Sequence, residues 1–261
     1  MKEFFGFGGY ERTPEGAWSW QHILFVSSLM IIMVGLAVLL GIRNKRKDDK
    51  TKNKVLIASA ILIDSFEIIK IIIACVKDGS AHPILINLPL FLCSIQLITI
   101  PLAAFTKGRI REASLDFVSI FGLLGAVLGT FGAAQNYNAY PVLSWDNVVS
   151  GITHSISGFA ALYIFIAGLA SMKKENIYIT FIILLSFCGL ALIADYTIPY
   201  NYMFLRNHDG TPYVIFYNLV KGNQVLYPII VVVLFLLYIT VFYLIYFLIN
   251  KRKQNKEINN A

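Results

Sequence analysis

Apolar positions along the chain gather into seven long runs, separated by short polar stretches rich in lysine and arginine. The runs cover about residues 22–42, 55–76, 88–106, 113–133, 147–170, 177–194 and 225–249. Each approaches the ~20 residues a helix needs to cross ~30 Å of hydrocarbon. The pattern predicts an all-α polytopic membrane helix bundle, with seven transmembrane helices in a single integral membrane domain over 1–261. The third run opens on an apolar stretch, 88–101, that is too long for a strand and holds Pro89 and Pro101 near its ends. Cys93 and Gln96 stand three apart within it, which on a helix puts a thiol and an amide on one face.

The polar stretches set an expected orientation. Arg43, Lys45, Arg46, Lys47, Lys50, Lys52 and Lys54 lie between runs one and two, and Lys107, Arg109 and Arg111 between three and four. Lys173 and Lys174 lie between five and six, and Lys251, Arg252, Lys253 and Lys256 follow the seventh. The alternate connections carry only Lys2, Arg12, Lys77, Arg206 and Lys221. Basic residues concentrate on the cytoplasmic side, so the N-terminus is expected outside and the C-terminus in the cytoplasm of a multi-pass cell-membrane protein. A six-span reading, with the charged second run lying at the interface, sorts these loops badly.

Composition agrees with the membrane reading. The chain is 57% hydrophobic and 14% charged, against about 25% charged residues in soluble domains, and its mean hydropathy is +0.67. The net charge of +7 follows the loops and is not a nucleic-acid footprint; for a polytopic membrane chain, membrane lipids are the expected partners and no nucleic acid is. Three cysteines without a CxxC or Cys/His spacing predict no metal site. No phosphate loop or dinucleotide fingerprint appears, and no cofactor is expected. Residues 1–20, Gly-rich with Glu3, Glu11 and Glu15, do not read as a signal peptide. Gly122, Gly125, Gly129 and Gly132 form one stripe on the fourth helix, read as close helix packing. The 196–224 connection reads as a lid or a plain solvated loop. No internal repeat supports an inverted-repeat transporter.

Polar residues inside the apolar runs are the candidates for chemistry, because ionisable groups in a bilayer are costly. Asp64, Glu67 and Lys70 share one side of the second helix. With the topology above and ~1.5 Å per residue, Cys93 sits roughly 8 Å and His154 roughly 10 Å below the outer face. His22 opens the first helix at the outer surface, and Asn201 and Tyr202 follow the sixth. These groups come from separate helices and fall in the outer half of the bilayer. Gly151, Ser157 and Gly158 keep the His154 face narrow.

Several readings stay open at this stage. A Cys93–His154 pair suits acyl transfer, with Gln96 as oxyanion donor. A Cys75–Cys93 disulfide is a rival, and Cys188 reads as a small hydrophobe. The helix 2 charges suit a small-solute or ion transporter, and all the polar groups suit a purely structural role.

Four features carry a resemblance. They are His22, the Pro89-Leu90-x-Leu92-Cys93-Ser94 opening of the third run, His154 early in the fifth, and Asn201-Tyr202-Met203-x-Leu205 after the sixth. Together they resemble the YwaF family of bacterial integral membrane proteins over nearly the whole chain. That family is similar to a vertebrate multi-pass group regarded as phospholipid acyltransferases, and more distantly to androgen-induced-type membrane hydrolases that use Thr and His. The resemblance implies a lipid acyltransferase or lipid hydrolase with a lipid-like substrate, Cys93 as nucleophile and His154 as base. His22, Glu67, Lys70, Gln96, Asn201 and Tyr202 would support the site. One departure stands out: the position between the two leucines is usually His, and here it is Phe91.

Overall fold

A computed structural model describes residues 2–259, and among these the ordered elements are all helical. Seven helices follow the apolar runs: α1 Trp20–Asn44, α2 Asp49–Asp78, α3 Gln96–Phe105, α4 Gly108–Leu128, α5 Trp145–Ile166, α6 Asn176–Thr197 and α7 Leu226–Asn259. Short helices lie between them at His82–Ile86, Ala134–Ala139 and Val214–Leu219. Four of the seven, α1, α5, α6 and α7 over Leu226–Arg252, are long and apolar enough to cross a membrane. The side chains of Lys253 and Lys256 lie outside the described residues.

Local chemistry sets the helix ends. Ser19, Asp48 and Ser144 cap α1, α2 and α5 by accepting a hydrogen bond from the backbone N–H three residues on. Gly79 ends α2 in the left-handed conformation, at φ 70°, where a residue without Cβ is least strained.

The third run departs from expectation. It is helical only over Gln96–Phe105, and 88–95 forms turns instead. Pro89 supplies no N–H and disfavours helix in the residue before it. Ser94 then closes the turn: its Oγ accepts from the Phe91 N–H at 2.9 Å and donates to the Phe91 carbonyl at 3.0 Å. Cys93 and Gln96 therefore do not share a helix face. Cys93 sits in the turn, and Gln96 is the first residue of α3.

The chain packs as two compact units, Met1–Ala170 and Ser171–Ala261. In the first, α4 is the central helix, buried without interruption over residues 113–122. Its apolar surface meets Leu56 and Ile63 of α2, Ile100 of α3 and Ala160 and Ile164 of α5. Small residues set the closest approaches. A Cβ on Gly122 would come 2.7 Å from the Ser157 carbonyl, and one on Gly158 would come 2.5 Å from both Ala126 and Met33. Tyr163 fastens one end of this unit, where its hydroxyl accepts from Asn44 Nδ2 and donates to the Lys52 carbonyl, both at 3.0 Å.

In the second unit α6 packs on α7, and Thr180 and Tyr243 hydroxyls meet at 3.3 Å. The connection after α6 is ordered. Asp195 Oδ1 accepts from the Tyr202 N–H at 2.6 Å, and Arg206 lies over the Tyr196 ring at 5.2 Å.

Candidate functional site

The site is built on α5. His154 Nδ1 lies 2.7 Å from the carbonyl oxygen of Ser150, one turn earlier. A carbonyl only accepts, so Nδ1 carries the proton and the Nε2 lone pair is left available. The Cys93 thiol is the group that meets this ring: the two side chains are hydrogen-bonded and electrostatically coupled. The charge of Lys70 on α2 reaches both of them. Cys93 and His154, from a turn and a helix, are thus brought together, with Lys70 of α2 within electrostatic range.

The third wall is α4, and its glycines admit the site. Gly129 lies against the His154 ring, so that a Cβ there would overlap Cδ2 and Nε2. One turn earlier, a Cβ on Gly125 would sit 3.6 Å from the Cβ of Cys93. Close packing is what the glycine stripe provides, and the surface it clears is where the Cys93 and His154 side chains sit.

The supporting residues divide. Gln96 is fully buried, its Oε1 accepts from Thr99 Oγ1 at 3.1 Å, and its Nε2 has no partner. Glu67 and Lys70 form an ion pair at 2.5 Å, with side chains 12% and 23% exposed. His22, at the start of α1, is fully buried within the protein. Its Nδ1 accepts from the Trp18 N–H at 2.9 Å, its Nε2 lies 3.2 Å from the Thr130 carbonyl, and its ring lies 3.9 Å from that of Tyr137. Both nitrogens are engaged, and His22 ties the start of α1 to the residues that follow α4.

Asn201 and Tyr202 belong to the second unit, where Asn201 and the Tyr202 N–H bond to residues close in the chain. Asn201 Nδ2 donates to the Asn207 carbonyl and to Asp209, at 2.7 and 2.6 Å, and its Oδ1 accepts from the Arg206 N–H at 3.0 Å.

Cys75, Cys93 and Cys188 are all free thiols, which sets aside the Cys75–Cys93 disulfide. Cys188 is buried with its sulfur 3.7 Å from that of Met203. Among the described residues no group of three or more His, Cys, Asp or Glu is placed to hold a metal.

Sequence reasoning passed over the Ser150 carbonyl, and it read Ser94 and Gly129 for other reasons. The Ser150 carbonyl orients His154, and its signal was the position four residues before a helical histidine. Ser94 shapes the turn that carries Cys93. Gly129 makes room for the ring.

Neither a curated protein nor a solved structure matches the chain. A family profile does match, over residues 17–246, which takes in every helix of the site and most of the second unit. It covers well over half of the sequence and describes a membrane-protein family. The chain therefore belongs to the TMEM164 family.

Proposed function

We propose that this membrane protein is a lipid acyltransferase or lipid hydrolase working through Cys93 and His154. One observation carries the reading: with Nδ1–H held by the Ser150 carbonyl, the basic nitrogen of His154 is free to serve the Cys93 thiol. A nucleophile in contact with a base that a third group orients is the arrangement covalent catalysis requires.

His154 takes the thiol proton and the thiolate adds to an ester carbonyl. The new C–S bond moves the π pair onto oxygen. Collapse of this oxyanion breaks the ester C–O bond, and the proton on His154 passes to the departing alcohol. A thioester on Cys93 results. A second alcohol or water, deprotonated by His154, then takes the acyl group and the thiol is restored. Lys70 on α2 supplies a positive charge that an anionic nucleophile or intermediate can face. The Glu67 carboxylate holds Lys70 in place.

The proposal includes seven spans, with α2, α3 with its preceding turn, and α4 crossing as well as the four apolar helices, the N-terminus outside and the host a cell membrane. The basic loops support that orientation. A substrate already dissolved in the bilayer then reaches the site laterally.

The test is intact mass after incubation with mixed phospholipids, beside Cys93→Ala. A fatty-acyl increment that neutral hydroxylamine removes, and that the variant lacks, is the expected result. A freely alkylatable Cys93 that never acquires the increment overturns the proposal.

A further inference from the structure

Within α5, hydroxyls near His154 bond back to their own helix. Ser155 Oγ donates to the Gly151 carbonyl at 2.7 Å and Thr153 Oγ1 to the Ser150 carbonyl at 3.1 Å. Ser157 is different. It is 3% exposed, and its Oγ is buried without a partner. A buried hydroxyl without a hydrogen bond is unfavourable, so its retention calls for a reason.

The direction of the hydroxyl supplies one. A Cβ on Gly122 would lie 3.3 Å from Ser157 Oγ, so the hydroxyl faces the glycine surface of α4. Three contacts therefore follow one another along that surface: Gly122 with Ser157, Gly125 with Cys93 and Gly129 with His154. Helical rise separates these positions by about 4.5 and 6 Å. Cys93 lies between the other two. His154 and Ser157, three apart on α5, share a face. An acyl carbon attached to Cys93 would have the base on one flank and an unoccupied O–H donor on the other. Gln96 Nε2 is another buried donor without a partner, and its Oε1 accepts from Thr99 Oγ1.

We infer that Ser157 donates a hydrogen bond to the oxyanion formed when Cys93 adds to an acyl carbonyl, in partnership with Gln96. The inference rests on the Cys93–His154 reading. The hydroxyl keeps its proton throughout, so the bonds made and broken are those given above.

The test uses the full chain in lipid nanodiscs, as wild type and Ser157→Ala. Two rates are measured at Cys93: acylation by a short-chain phospholipid, read by intact mass, and alkylation by iodoacetamide. Attack on iodoacetamide forms no oxyanion. Loss of one oxyanion donor lowers acyl transfer by about 10²-fold, so Ser157→Ala is expected to slow acylation by that factor and leave alkylation unchanged. Unchanged acylation overturns the inference, as does a parallel fall in both rates. So does failure of Ser157→Ala to fold, because losing a hydroxyl with no partner removes no stabilising bond. A wild type that alkylates but never acylates is a separate outcome: it overturns the Cys93–His154 reading and takes this inference with it.

Discussion

The imidazole of His154 lies in space that the side chain of any residue but glycine at position 129 would occupy. The contact joins the proposed base on α5 to the backbone at the end of α4. Gly129→Ala must therefore separate the two helices or turn the ring away from the Ser150 carbonyl. Overpacking of this kind costs about 1–3 kcal/mol. A lower Tm and slower alkylation of Cys93 are expected. Gly125→Ala meets Cys93 at an ordinary 3.6 Å, so the same measurements should find it close to wild type.

His154→Asn separates orientation from basicity. The Asn amide can still donate toward the Ser150 carbonyl, but it has no basic nitrogen where Nε2 was. Loss of a general base typically costs 10²–10⁴-fold, so thioester formation on Cys93 should fall by about that range while the Tm changes little. Stopped-flow or mass-resolved acylation rates would settle it, and an undiminished rate would remove His154 from the mechanism.

Lys70 is tied to Glu67 at 2.5 Å with little exposure. Breaking a buried pair from one side costs about 3–5 kcal/mol, because the remaining charge is left without compensation. Lys70→Met should therefore destabilise strongly, and the double variant Lys70→Met with Glu67→Gln should recover much of the loss. Thermal denaturation of the three proteins in detergent measures the coupling. Should the single and double variants unfold alike, the pair contributes nothing to stability.

The N-terminal segment is fastened by Glu15, whose carboxylate accepts from the Val142 N–H at 2.8 Å and pairs with Arg12. Burial opposes the ionised form, but the Val142 amide and the Arg12 guanidinium prevail and hold the carboxyl below its usual range. A folded-state pKa below the unfolded one gives stability that is present above the ordinary carboxylate pKa. That stability is lost as pH falls through the folded value. Wild type should melt above Glu15→Gln at neutral pH, and the gap should close in acid. A gap independent of pH would assign the difference to packing.

The helical segmentation was legible because hydropathy is local. In lipid every backbone group must be satisfied within its own segment, so long apolar runs become helices. The 88–106 run misled because its apolarity said nothing of Pro89 or of the Ser94 hydroxyl, which together turn the backbone before α3 begins. Cys93 and His154 were legible as candidates from residue type and depth. His22 was singled out at the start of a helix, but its burial against Tyr137 and the Thr130 carbonyl depends on residues more than 100 positions away and was not legible.

By itself the sequence determined an all-helical membrane protein, the register of most of its helices and a short set of polar residues that lipid would not tolerate without a partner. Only the tertiary structure decided which of them meet. Whether a thiol faces an imidazole depends on how each helix is rotated and how closely the backbones approach. Here that approach is set by Gly122, Gly125 and Gly129, whose missing side chains leave the room that Ser157, Cys93 and His154 fill.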